Sequence, residues 1–338
     1  MSKNKADLQN RLTQAKEAEF SEDFFRAAFF YKDALAAALK LGDSGSIKLC
    51  KNKIVEMNKK SIASGKDFKE LSVQQELSED EKKEYEKFIS QFLSPGDLAI
   101  ILTAIGKHPF FFPKLTEVQE RAIKTMPLAY QLANLSTISN GGHNLRGSSD
   151  GPYAWFMTMY EMSQQLIMNL YIGRIIYELM ENNPNGLSLN IKELSEYFSK
   201  AGIFDEKNLK IILIGLEKYF NNDYISAMHI LVPQFEAVFL KTSEKLGIDI
   251  VALDQKQGLA TRTKTLSETY LESDEFKNVW GEDLCRQIKF ILFEQMGYRI
   301  RHKVAHGEIL PAECNFQNTT LILYLYLVLL ARVKAQTA

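Results

Sequence analysis

The sequence predicts an all-α protein. Apolar residues recur at spacings of three and four residues along most of the 338-residue chain, and no stretch alternates apolar and polar residues as a strand does. Two patterns, Ser78 to Glu81 and Thr116 to Gln119, are typical of capping boxes at helix starts. We expect an N-terminal helical region at 1–93, a middle helical region at 94–204 and a helical bundle at 205–338, with the first boundary at the turn 94–97.

Composition limits the classes of function. With 46% hydrophobic and 25% charged residues the chain is of ordinary globular composition, and a formal net charge of -1 argues against a whole surface that binds nucleic acid. The three cysteines show no C-x-x-C spacing, so we expect reduced thiols, neither a disulfide framework nor a metal site, and no cofactor. The polar N-terminus lacks an apolar signal core, which favours a cytoplasmic location and no membrane.

The N-terminal region predicts two or three helices between residues 5 and 61. Within the second, Ala27, Tyr31 and Ala34 have a small-large-small spacing that resembles a helix of a tetratricopeptide repeat. The next 34 residues do not repeat this spacing, so a single helical hairpin is expected.

The middle region predicts helices at 78–93 and 97–106, a break at His108-Pro109, and a helix from 116 to about 135 that Pro127 kinks or splits. The stretch 139–152 has a Gly142-x4-Gly147-Ser148 spacing but no lysine and no preceding strand. We therefore expect a loop that ends in an N-cap at 148–150, with Pro152 in the first turn of a long helix to about 180.

The C-terminal region predicts four helices, at 207–220, 224–246, 283–304 and 315–334. The last is apolar on every side, and its run Leu321 to Ala331 is about half as long as a bilayer core requires. Such a helix has to be covered all round, either inside a bundle or between a bundle and a partner subunit.

The third of these helices ends in RIRHKVAHG, residues 299–307, which places three cations and two histidines together. Histidine titrates near neutrality and arginine does not, so such a cluster supplies a proton-transfer group and a fixed cation. Alternatively, the cluster is a basic helix C-terminus that the helix dipole stabilises.

Arg301, His302 and His306, followed by a glycine at the end of the third helix, resemble the R-x4-6-H motif of the HEPN superfamily. The segment DYISAMHILVPQFE, residues 223–236, is similar to the helix that precedes the motif in a branch of uncharacterised HEPN-like domains. The resemblance covers about 207–338 and implies a HEPN-like four-helix bundle.

This resemblance implies a metal-independent endoribonuclease of phage defence, toxin-antitoxin systems or RNA turnover, working as a homodimer whose two motifs face each other. It assigns catalysis to Arg301, His302 and His306. Some members of the superfamily bind RNA or protein partners without cutting.

The spacing leaves open which arginine works with His306. Five residues of helix rotate by about 140°, so Arg301 and His306 share a face only if Gly307 ends the helix and turns His306 inward, or if they come from different subunits. Arg299, His302 and His306 share a face of a straight helix. We prefer Arg301, because a polar residue follows it, and expect Arg299 and Lys303 to contact RNA phosphates.

His229 and Glu236 are a further candidate pair, because seven residues separate them on one helix and they would line a groove beside the motif. Pro233 between them predicts a kink. A solvated helix face is the simpler interpretation of this pair.

Two functions follow. The first is an endoribonuclease that binds RNA, with an antitoxin as a further partner if the chain is a toxin. The alternative is a non-catalytic helical scaffold that binds RNA or protein and dimerises through the helix at 315–334.

Overall fold

The computed structural model describes residues 3–67, 78–128, 137–138, 141–146, 151–182, 184–253 and 260–336. Its contacts divide the chain into two compact units. The first comprises residues 1–76 and 126–154, and the second comprises residues 77–125 and 155–338.

The described part of residues 1–76 forms three helices, which confirms the prediction for this N-terminal part. They are α1 (Lys3–Phe20), α2 (Phe24–Leu41) and α3 (Ser44–Ser64). The Asp23 and Asp43 carboxylates cap α2 and α3 by accepting N–H groups of their first turns. Ala27, Tyr31 and Ala34 are all buried, so their spacing reflects helix packing in this core.

A short hairpin in the first unit was not predicted. Strands β1 (Thr137–Ile138) and β2 (Asn144–Arg146) pair antiparallel. Gly142 between them has φ +78°, and a Cβ there would lie 2.6 Å from the Val55 carbonyl oxygen, so this glycine serves close packing on α3. The Asn58 side chain donates to the Gly142 carbonyl at 2.7 Å, and residues 147–150, including the predicted N-cap, lie outside the described residues.

The second unit begins with α4 (Glu79–Leu93), α5 (Leu98–Lys107), a 3₁₀ turn (Pro109–Phe111) and α6 (Leu115–Thr125). The Ser78–Glu81 capping box and the break at His108-Pro109 are confirmed. The capping box at Thr116 is wrong, because α6 starts one residue earlier and the Leu115 N–H donates to the Asp283 carboxylate at 2.9 Å. The helix ends before Pro127, and residues 129–136 lie outside the described part.

A long helical stretch follows from 151 to 182, as predicted. It consists of α7 (Gly151–Leu166), a π-helical segment (Ile167–Ile172), α8 (Gly173–Tyr177) and a second π-helical segment (Glu178–Asn182). A 3₁₀ turn (Pro184–Gly186) and α9 (Ile191–Ser199) complete this part. The two π segments are departures that the sequence pattern did not predict.

The C-terminal part carries the predicted helices in modified form. Its elements are α10 (Glu206–Phe220), α11 (Tyr224–Lys245), the antiparallel pair β3 (Val251–Leu253) and β4 (Thr261–Thr263), α12 (Glu268–Glu272), α13 (Asp274–Trp280), α14 (Glu282–Leu292), α15 (Ile300–His306), a 3₁₀ turn (Pro311–Glu313) and α16 (Phe316–Gln336). The helix predicted at 283–304 is therefore two helices, and the basic cluster has a short helix of its own.

The last helix, α16, is the centre of the second unit. Every residue from Leu321 to Ala331 is at most 2% exposed, with α5, α11 and the π-helical segment at 167–172 packed around it. Of the two alternatives for covering this helix, burial inside the chain is the one realised. Dimerisation through residues 315–334 stays a prediction, although the apolar side chains at 321–331 are already covered within the chain.

Within the described residues, Phe316–Val333 is long and apolar enough to cross a membrane, and 78% of that window is buried inside the protein. Burial of this extent is typical of a core helix.

The contacts of α16 explain why the middle and C-terminal regions share one unit. Helix α5 belongs to the predicted region 94–204 but packs on α16, and residues 77–125 and 155–204 fall in the same unit as 205–338. The predicted division at 204 lies inside this shared core.

Gly106 allows α5 to approach α16 closely, and we expect its replacement to be costly. A Cβ at this position would lie 2.7 Å from the Leu327 carbonyl carbon and 2.8 Å from the Ala331 Cβ, so the two helices have to separate. Gly106→Ala should lower the free energy of unfolding by about 2–3 kcal/mol, measured by chemical denaturation.

Gly96→Ala is the matched control, because a Cβ at Gly96 meets nothing within 4 Å. Equal stability of the two variants would contradict the close approach.

Candidate functional site

The break between α14 and α15 sets the position of the basic cluster. Gly297 packs on the Phe290 carbonyl so tightly that no Cβ fits, and the Tyr298 N–H donates to the same carbonyl at 3.1 Å. Arg299 then adopts φ 55° and ψ 30°, the left-handed conformation that residues other than glycine rarely take. This turn starts α15 in a new direction, which a continuous helix could not achieve.

Ion pairs of the buried Lys289 stabilise the same break. Lys289 is 5% exposed and its ammonium group lies 3.3 Å from the buried Glu294 carboxylate, with Glu272 also bonded to it. The Lys289 ammonium group lowers the pKa of Glu272. Burying these charges together is tolerable only because each has a partner of opposite sign.

Arg301 faces α11. Its Nε donates to Glu236 Oε2 at 2.8 Å, and its guanidinium lies 5.9 Å from the centre of the Phe293 ring. The other Glu236 oxygen accepts the Leu266 N–H at 3.0 Å. Both side chains are at most a quarter exposed, so this ion pair fastens α15 to α11.

The two histidines of the cluster lie together. The ring centres of His302 and His306 are 4.3 Å apart, at an interplanar angle of 42°. The Glu308 carboxylate lies 3.9 Å from His302 Nε2 and 3.7 Å from Arg299 Nη1. Arg299, not Arg301, is thus the arginine that shares a carboxylate with His302.

Burial and neighbouring charges together lower the pKa of His302. Partial burial is the main cause that lowers its pKa, and the positive charges of Arg299 and His306 lower it further, with a smaller contribution from Arg301. The Glu308 carboxylate acts in the opposite direction. A neutral imidazole beside a fixed cation is the arrangement a general base requires.

Lys303 is engaged in an ion pair. Its ammonium group bonds the Glu313 carboxylate, whose other oxygen accepts the Leu310 N–H at 2.9 Å. Glu161 also lies near: burial raises the pKa of this carboxyl and the Lys303 charge opposes that shift. Lys303 therefore ties the end of α15 to the chain that follows it.

His229 does not join the cluster. Its ring is exposed and its Nδ1 lies 2.8 Å from the Ile225 carbonyl oxygen, four residues back in α11. Helix α11 runs without interruption through the exposed Pro233. Of the candidate pair, only Glu236 reaches the motif.

Gly307 ends α15 as predicted, with φ +66° and its N–H directed at the Val304 carbonyl. His306 nevertheless remains in the last turn of the helix, so the glycine does not turn it toward Arg301. The contacts of Glu308 with Arg299 and His302, and the role of Glu236 as the partner of Arg301, were not predicted from the sequence. The sequence feature that indicates the break is Gly297, which follows Met296 inside the predicted helix and is an unfavourable residue there.

Comparison of the chain with protein-family models, with curated proteins and with solved structures gave no match. Within the residues that the structure describes, no three His, Cys, Asp or Glu side chains are grouped so that they could hold a metal ion. Cys50, Cys285 and Cys314 are free and buried.

The charges around His302 predict opposite responses of its pKa to two substitutions. Arg299→Gln removes a cation and should raise the pKa, whereas Glu308→Gln removes a carboxylate and should lower it further. NMR titration of the labelled imidazole measures both shifts. His229→Ala is the control, because that residue does not contact the cluster. A His302 pKa that does not change on Arg299→Gln would contradict the proximity of the two side chains.

Proposed function

We propose that this chain is a metal-independent endoribonuclease of HEPN type. The observation that carries the proposal is the His302–His306 ring pair, accessible to solvent at the end of α15, beside the Arg299 guanidinium. Two imidazoles and a fixed cation are sufficient for both proton transfers and for charge stabilisation in RNA cleavage.

In the proposed reaction, neutral His302 takes the proton of the 2′-hydroxyl while the 2′-oxygen forms a bond to phosphorus. The bond from phosphorus to the 5′-oxygen breaks, and protonated His306 supplies the proton that the leaving oxygen requires. Arg299 stabilises the charge on the phosphoryl oxygens. The products are a 2′,3′-cyclic phosphate and a 5′-hydroxyl, and the two histidines have exchanged protonation states.

The family resemblance and the geometry of the cluster point to different arginines as the catalytic cation. The resemblance assigns catalysis to Arg301, which in this chain bonds Glu236. Arg299 and His302 both lie beside Glu308, so we assign the phosphate contact to Arg299 and a positioning role to Arg301. A homodimer with facing motifs would bring a second histidine pair to the same RNA.

A cytoplasmic enzyme of this kind fits phage defence, RNA turnover or a toxin restrained by an antitoxin. A non-catalytic unit that binds RNA or protein is the second candidate. The ion pairs Arg301–Glu236 and Lys303–Glu313 favour it, because they neutralise two of the cations that a phosphate would contact.

Cleavage of single-stranded RNA in EDTA decides between the two candidates. We expect His306→Ala to lower the rate by about 100-fold or more, as loss of a general acid does. His229→Ala is the matched control and should cleave like the parent, because this exposed histidine contacts only its own helix. No cleavage by the parent, or cleavage only with added metal, would contradict the proposal.

The same assay tests the arginines. Arg299→Gln should slow cleavage and leave the denaturation midpoint unchanged, whereas Arg301→Gln should lower the midpoint. If Arg301→Gln alone abolished cleavage without loss of stability, the assignment to Arg299 would be wrong.

A further inference from the structure

A groove in the second unit lies apart from the histidine cluster. It has a volume of about 600 Å³ and runs between α4, the helical stretch 167–182 and the starts of α11 and α16. Three tyrosines line it, Tyr85, Tyr177 and Tyr224, each at least partly exposed. Partly exposed aromatic rings around one groove provide faces on which a flat ligand can stack.

Three carboxamides line the same groove, Asn169, Asn222 and Gln317, all of them exposed. Asn222 Oδ1 accepts the Tyr224 hydroxyl at 2.6 Å. Carboxamides offer a donor and an acceptor side by side, the pattern that the edges of nucleobases match.

The groove carries both signs of charge in small number. Arg174 lies in it and pairs with Glu178, at 2.6 Å between Nη2 and Oε1. Burial raises the pKa of Tyr224, and the Glu181 carboxylate, which also lines the groove, adds to that shift. The lining therefore fits neutral groups, such as nucleobases, better than it fits the phosphates of a nucleic acid. A neutral heterocycle with donors and acceptors is complementary to this surface.

Irregular backbone shapes the groove. The π-helical segments at 167–172 and 178–182 both contribute to its lining, and such segments are frequent at functional sites. Tyr85 donates its hydroxyl to the Leu170 carbonyl in the first segment at 2.6 Å, which fixes that ring. At Gly173 a Cβ would lie 2.8 Å from the Met168 carbonyl oxygen, so the glycine permits the wider turn.

We propose that this groove binds unpaired nucleobases of a single-stranded RNA, stacking them on Tyr177 and its neighbouring tyrosines and contacting their edges with carboxamides. The inference rests on the proposed function, because it names a second contact for the same RNA. Single-stranded RNA is recognised by this combination of aromatic stacking and edge hydrogen bonds.

The spacing is compatible with one RNA strand. Tyr224 at the groove and Glu236 at the motif are both on α11, about 18 Å apart at 1.5 Å per residue. A stacked strand advances about 3.4 Å per nucleotide, so about five nucleotides cover this length of helix.

The test is the affinity of a fluorescent ten-nucleotide single-stranded RNA for the full chain, measured by anisotropy in a His306→Ala background that prevents cleavage. Tyr177→Ala should weaken binding about ten-fold, within the range for loss of one stacked base, and Tyr177→Phe should retain it. Tyr177 is 47% exposed, so its truncation leaves the core intact. Phe20→Ala, which removes a 93% exposed ring elsewhere, is the control.

Unchanged affinity on Tyr177→Ala, or no binding of this RNA by the parent, would overturn the inference. If Tyr177→Ala left RNA cleavage unaffected, the groove inference would be overturned but the endoribonuclease proposal would stand. Ring-dependent binding in a chain that never cleaves RNA would support the groove and contradict the nuclease.

Discussion

The burial of α16 is the constraint on which the second unit depends. Leu321 to Ala331 form an unbroken apolar run, and each of these residues has to be covered on its own side of the helix. Two tyrosine hydroxyls in this core have partners: Tyr324 donates to the Phe111 carbonyl at 2.9 Å and Tyr326 to the Leu231 carbonyl at 2.8 Å. Because α11 is fixed on this helix, its Glu236 is fixed as well, and Glu236 positions α15 through Arg301.

The basic cluster combines strain and ion pairs. Arg299 in the left-handed region costs about 1–2 kcal/mol, which the packing of Gly297 and the Lys289 network have to offset. The two sides of α15 have different contacts. Arg301 is tied to α11 on one side, while Arg299 and His302 lie beside the exposed Glu308 on the other. The Glu308 contacts are long, and a phosphate can displace them at small cost.

Helix periodicity was sufficient to predict the fold class and most helix positions, since the apolar spacings from α1 to α16 correspond to buried faces. It could not predict the break at Gly297, because this depends on a tertiary contact with Phe290. For the same reason the residue types at 299–307 identified the cluster but not its pairing. Glu236 is 65 residues from Arg301 in sequence. The contact between Glu308 and Arg299 depends on the backbone turn at Arg299, which the sequence pattern does not indicate.

The central claim is that the histidine pair cleaves RNA through the 2′-hydroxyl. Its most direct test compares, in EDTA, an RNA oligonucleotide with the same oligonucleotide carrying a single 2′-deoxy nucleotide on the 5′ side of the cleaved bond. We predict that the RNA yields a 2′,3′-cyclic phosphate end and that the substituted bond stays intact, because the nucleophile is missing. Cleavage of the substituted bond at the same rate would contradict the mechanism.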